Sequence, residues 1–188
     1  MTVQRRKDTK TPRVFVHKIA DIRGGVSVNV AELGSDYLPE GAVLSAPDNG
    51  ICHVVKVAEV TAQVTAEGKE IKVKKGHQLN VGNFVLVAEG AKASKITKID
   101  KTDKATDKIT VDAALGVIIE AGGFIVEAKA ASLESDSALK YKPLSIVGTG
   151  KPINPNDNLN TDAWVIGVTK GNPLPDCISK YLTGIINY

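Results

Sequence analysis

Three histidines, His17, His53 and His77, and two cysteines, Cys52 and Cys177, are the residues that could ligate metal or act as nucleophile and base. Each histidine stands alone, with no second ligand at a metal-binding spacing. His77 follows Gly76 in a polar connector, which predicts a surface position. No Gly-x-Ser-x-Gly elbow, phosphate-binding loop or dinucleotide fingerprint occurs. Carboxylates are plentiful, but no pair is set in an apolar run that would displace its pKa. Oxygen-bearing side chains at Asn154, Asn156, Asn158, Asn160 and Asp162 suggest a hard-cation loop. The glycine and closing glutamate of such a loop are missing, so a proline-stiffened surface loop is expected instead. The cysteines lie far apart and read as two reduced thiols, with a single bridge left open. The expectation is a non-enzymatic protein with no catalytic residues, no metal and no cofactor.

What elements would such a chain build? Of its 188 residues 43% are hydrophobic but only 4% aromatic, so the core must consist of Val, Ile, Leu and Ala. Val and Ile favour strands, and frequent glycines punctuate the runs. The stretch Ile71–Ala128 says nearly the same thing twice. Ile71-Lys72-Val73 and Val81-Gly82-Asn83-Phe84-Val85-Leu86-Val87-Ala88 are followed by Ile109-Thr110-Val111 and Ala121-Gly122-Gly123-Phe124-Ile125-Val126-Glu127-Ala128. Each copy reads as a strand, a connector, a turning glycine and a strand led by Phe. Ala93 to Ile99 is a further strand between them. Two related half-units of a small β-barrel or sandwich, or two ordinary hairpins with a shared Gly-Phe habit, both fit.

Elsewhere, Val14-Phe15-Val16 and Val26-Ser27-Val28-Asn29-Val30 read as strands, the second with its valines on one face. Asn49-Gly50 signals a tight hairpin. From Cys52 to Val64 the chain alternates, and Val54, Lys56, Ala58 and Val60 share a face. Lys72, Lys74 and Lys75 read as the wet side of a half-buried strand. Residues Tyr141–Gly148 suggest an edge strand, and Lys151–Asp162 no regular element. Ala163-Trp164-Val165-Ile166-Gly167-Val168 is a strong strand. After Asp176, the spacing of Ile178, Tyr181, Leu182 and Ile185 predicts a short amphipathic helix ending near Gly184. The organisation expected is a basic N-terminal arm over 1–12, a β-barrel or sandwich over 13–129, and extended loops, a last strand and a C-terminal helix over 130–188.

The net charge of +3 demands neither nucleic acid nor membrane. No apolar stretch is long enough to span a bilayer as a helix. The polar start lacks the apolar core of a secretory signal, so synthesis in the cytoplasm is expected. Arg5, Arg6, Lys7 and Lys10 form a basic arm suited to an acidic partner surface. Trp164, with Ile178, Tyr181, Leu182 and Ile185, is the candidate oligomer interface, the helix stripe needing a cover.

The succession Ile71–Phe84, Lys95-Ile96-Thr97-Lys98-Ile99-Asp100, Ile109-Thr110-Val111-Asp112, Leu115-Gly116 and Gly122–Ala128 resembles the head fibre and capsid decoration proteins of tailed bacteriophages, notably those of Bacteroides-type hosts. Tyr141-Lys142-Pro143, Ala163–Val168 and the C-terminal segment are similar too. The resemblance spans Val14 to Tyr188. It implies an all-β virion protein made in the host cytoplasm, bound to the outside of the capsid through the major capsid protein, often as a homotrimer, with no catalytic residues. Docking through the basic arm is a separate inference from its charge. A host-surface glycan-binding module on a virion, with an aromatic patch near Tyr37 or Trp164, and a nucleic-acid-binding β-barrel are the competing expectations.

Overall fold

A computed structural model describes residues 13–134, 136–154 and 156–188; the basic arm, with Arg5, Arg6, Lys7 and Lys10, lies outside them. The protein is all-β. Its strands are β1 Phe15–Asp21, β2 Val26–Asn29, β3 Tyr37–Leu38, β4 Val43–Ser45, β5 Ile51–His53, β6 Val57–Glu59, β7 Glu70–Lys74 and β8 Phe84–Leu86. There follow β9 Ala93–Asp100, β10 Thr106–Val111, β11 Phe124–Ala128, β12 Pro143–Val147, β13 Lys151–Pro152, β14 Leu159–Thr161 and β15 Ala163–Thr169. One helical turn, α1 Asp176–Ser179, precedes β16 Ile185–Asn187.

The duplicated stretch is a structural duplication, and it is larger than the sequence suggested. Six strands form one antiparallel sheet in the order β6-β11-β8-β9-β10-β7. Its two copies are β6–β7–β8 and β9–β10–β11, each lending its first strand to the other's last. The hydrogen bonds repeat. Gly82 N–H donates to Ile96 O at 2.9 Å, and Gly122 N–H to Val60 O at 2.7 Å. Ile96 N–H donates to Asn83 O and Val60 N–H to Gly123 O, both at 2.8 Å. Gly82 and Gly122 have φ of 93° and 87°, a region that disfavours any side chain, which is why both copies keep glycine there. β7 and β10 pair with each other, setting Ile71 opposite Ile109, and both are fully buried. Burial of each stabilises by about 1.5–3 kcal/mol. The sheet curls until its edge strands meet at one isolated bridge, Val60 to Val73, without closing into a continuous barrel.

The rest of the molecule is an open assembly of distant strands. β1-β15-β12-β4 form a sheet, and β16 joins β15 in parallel. β14-β2-β5 and β13-β3 make two smaller sheets beside it. Asn49 and Gly50, at φ 47° and 82°, form the two-residue turn that returns Ile51 to Asp48, as Asn-Gly predicts. Val28 and Val30 are buried on one face.

Three local expectations are corrected. Pro143–Val147 is an interior strand between β4 and β15, not an edge. β13 and β14 are regular strands within Lys151–Asp162, because pairing with β3 and β2 outweighs the local preference of Asn and Pro. The C-terminal helix is a single turn. The chain leaves it at Lys180, passes Gly184, whose close approach to Val165 O admits no side chain, and continues from Ile185 as β16.

Candidate functional site

The residues proposed as an oligomer interface separate into two groups. Ile178 and Leu182 are buried in the chain's own core beside Val126 and Ile146, so they offer nothing to a neighbour. Tyr181 and Ile185 are half-buried against that core. Trp164 is half-buried; its Nε1–H donates to Asp162 Oδ2 at 2.8 Å. Lys18 Nζ sits 5.3 Å from the Trp164 ring centre and 5.5 Å from that of Phe15. Lys18 is thus a cation–π partner of the indole.

Among the described residues, Val81, Val117, Ile118, Leu133 and Leu144 are exposed elsewhere, and the other five of the ten exposed large apolar side chains lie on β1, β15 and β16 or just beyond. On β1 they are Val16 and Ile19, on β15 Ile166, on β16 Ile186, with Tyr188 just beyond. Ile19, Ile186 and Tyr188 expose 64–65% of their surface. β1 and β16 each have β15 as their sheet partner, so each carries an unpaired edge among the described residues. Unpaired edges with apolar side chains are the usual templates for pairing with another chain.

A second feature was missed by sequence reasoning. Lys56 is 1% exposed and Glu127 2%, at the crossing of β11 with the segment before β6. Lys56 Nζ donates to Glu127 Oε1 at 3.3 Å and to Asn83 Oδ1 at 3.2 Å. Lys140 Nζ donates to the same Glu127 oxygen at 3.0 Å and lies 3.5 Å from Glu32 Oε2. Glu32 also accepts from Tyr141 Oη at 3.0 Å and meets His53 Nδ1 at 2.8 Å. His53 stacks on Tyr141 with ring centres 4.2 Å apart. Two ammonium and two carboxylate groups thus alternate along one line, from deep core to surface.

That line sets the proton affinities. Burial pulls Lys56 below the usual lysine value, against the attraction of Glu127. Burial also opposes charge on Lys140, but its hydrogen bond and charge contact with Glu127 outweigh this and hold it above the usual value. Burial would raise Glu32, yet the His53 hydrogen bond, the Lys140 charge and the Tyr141 hydroxyl hold it below the usual range. The sequence signal existed. Lys56 falls on the face shared by Val54, Ala58 and Val60, and Glu127 stands where the first copy has Val87.

Between the two halves runs a cleft of about 370 Å³, floored by Val54, Val57, Phe124 and Leu174. His77 lines it and is 7% exposed, correcting the expected surface position. Its Nδ1 accepts the Leu79 N–H at 3.2 Å, which leaves the proton on Nε2, 3.3 Å from Asp107 Oδ2. Burial lowers the imidazole's pKa, more than Asp107 raises it.

The remaining candidates are quiet. Cys52 and Cys177 are free and buried. Among the described residues no group of three or more metal-ligating side chains converges, and Asn154 is bonded to Asp157. Lys72, Lys74 and Lys75 are exposed, as a wet strand face requires. Comparison of the chain with protein-family models, with curated proteins and with solved structures found no match.

Proposed function

We propose that this is a non-enzymatic structural protein that attaches to the outer surface of a bacteriophage capsid, as a head fibre or decoration subunit, in homotrimeric form. The observation that carries this reading is the apolar edge made by Val16, Ile19, Ile166, Ile186 and Tyr188. A monomer gains nothing by leaving such a surface wet, and self-association through it would bury it. The resemblance of the repeat and of Ala163–Val168 to head fibre proteins supports the same reading. Trimerisation would let one particle grip several identical shell sites, so that weak contacts add up to durable attachment. The basic residues Arg5, Arg6, Lys7 and Lys10 would steer the arm toward an acidic capsid face.

The test has two arms. Light scattering of the purified protein should give the mass of a trimer, and capsids assembled without the protein should bind it in co-sedimentation. The Ile19→Ser/Ile186→Ser pair should give monomers that bind capsids far more weakly. A wild-type monomer that leaves capsids bare would overturn the proposal.

A further inference from the structure

We propose that Lys56 and Asn83 join through an intramolecular isopeptide bond, formed by the chain itself with Glu127 as proton carrier. Glu127 lies on β11, which runs between β6 and β8, and Lys56 and Asn83 are the residues that lead into those two strands. Glu127 N–H donates to Lys56 O at 2.9 Å, and Glu127 faces Val85 across the other ladder. Lys56 Nζ bridges the two side chains, donating to Glu127 Oε1 and to Asn83 Oδ1.

Each part of an acyl transfer is in place. The nucleophile is Lys56, whose side chain is wholly buried, a setting that favours the free amine. The electrophile is the Asn83 carboxamide. Its Oδ1 is 3.2 Å from Lys56 Nζ, which places the attached carbon within about one bond length of attack distance. That same oxygen accepts the Asn80 N–H at 2.8 Å, a donor already aimed where negative charge would develop. Glu127 touches the amine through Oε1, while its buried Oε2 has no hydrogen-bond partner. Lys140 supplies Glu127 with a second cation, so Lys56 need not stay charged to balance the site.

The reaction balances without any outside reagent. Lys56 Nζ, as free amine, forms a bond to Asn83 Cγ. A proton passes from Nζ to Glu127 and from there to Asn83 Nδ2. The Cγ–Nδ2 bond breaks and ammonia leaves. One amide replaces another, and nothing is oxidised or reduced.

The other copy of the repeat argues that the trio is not there for the fold. Its equivalent positions hold Lys92, which is exposed, Val87, which packs into the core, and Gly123. The same crossing is thus built without buried charge. Local departures from an otherwise consistent pattern are where chemistry is to be sought.

Mass spectrometry of the purified full-length chain tests this directly. The intact mass should fall below the sequence mass by one ammonia, about 17 Da. A tryptic digest should yield a branched peptide joining the segment with Lys56 to the segment with Asn83, with no cleavage after Lys56. Both segments recovered as linear peptides would overturn the proposal, whatever the intact mass, since a succinimide at Asn49-Gly50 loses the same ammonia. Lys56→Arg and Asn83→Ala should restore the full mass, and Glu127→Gln should leave most of the chain unlinked. The digest of the natural chain decides the matter even if those variants fail to fold.

Discussion

The two crossings of the six-stranded unit differ in kind although the backbone treats them alike. At one, Val87 lies against the core, Gly123 turns the chain and Lys92 points to water. At the other, Glu127 and Lys56 are buried together and the half-buried Asn83 bonds to the lysine. A duplicated fold provides its own control. What both halves share is required for folding, and what only one half has is available for something else.

The largest test of that contrast is to give the polar crossing its partner's residue. Glu127→Val should cost about 3–5 kcal/mol in urea unfolding, because it strands Lys56 without a counter-charge. The triple change Lys56→Leu/Asn83→Gly/Glu127→Val should recover part of that loss, since it removes the stranded amine but leaves a smaller trio and no cross-link. If the single change costs less than about 1 kcal/mol, the two crossings are equivalent and the contrast is void.

Next come the shared turns. Gly82→Ala and Gly122→Ala should each cost about 1–2 kcal/mol, from φ alone, because a Cβ at either position meets no atom within 4 Å. Near-equal costs would confirm that the halves are energetic as well as geometric copies.

A smaller effect follows from pH. Both Glu32 and His77 have pKa values below their ordinary 4.5 and 6.5. For each, the unfolded chain binds a proton more readily than the folded one. The stability they confer is therefore fully present above those ordinary values and is lost as pH falls through the depressed ones. The urea midpoint should decline as pH drops below 6.5, and decline again in the carboxylate range. His77→Asn should flatten the first decline only.

The smallest effect should come from the open half. Ile19→Ser should move monomer stability by less than about 0.5 kcal/mol while weakening self-association. A cost comparable to that of Glu127→Val would mean that the β1 edge is already covered.

The parts legible in the sequence were those written locally. The valine alternation of β2, the Asn49-Gly50 turn and the doubled Gly-Phe pattern all depend on neighbours a few residues away, and all were readable. Tyr141–Gly148 and Leu159–Thr161 were misread because their partners, β4, β15 and β2, lie far off in the chain. Ile185 has the right spacing for a helix, but the edge of β15 claims it. The polar line through Lys56 was the least legible. Its members come from five separate segments, and a buried lysine looks in sequence like any wet one. Two signs marked the place, Lys56 on an otherwise apolar strand face and the mismatch of Glu127 with Val87.

One property of the open sheet has a practical side. Phe15 and Asn187 both pair with Thr169, one on each flank of β15. They therefore sit two strand spacings apart, about 10 Å. A linker of a few residues could tie Tyr188 to Arg13, and new ends cut at the exposed Asn49-Gly50 turn would preserve every long ladder. Such a circularly permuted chain should fold, and it would carry any fused cargo on the opposite rim from the natural ends.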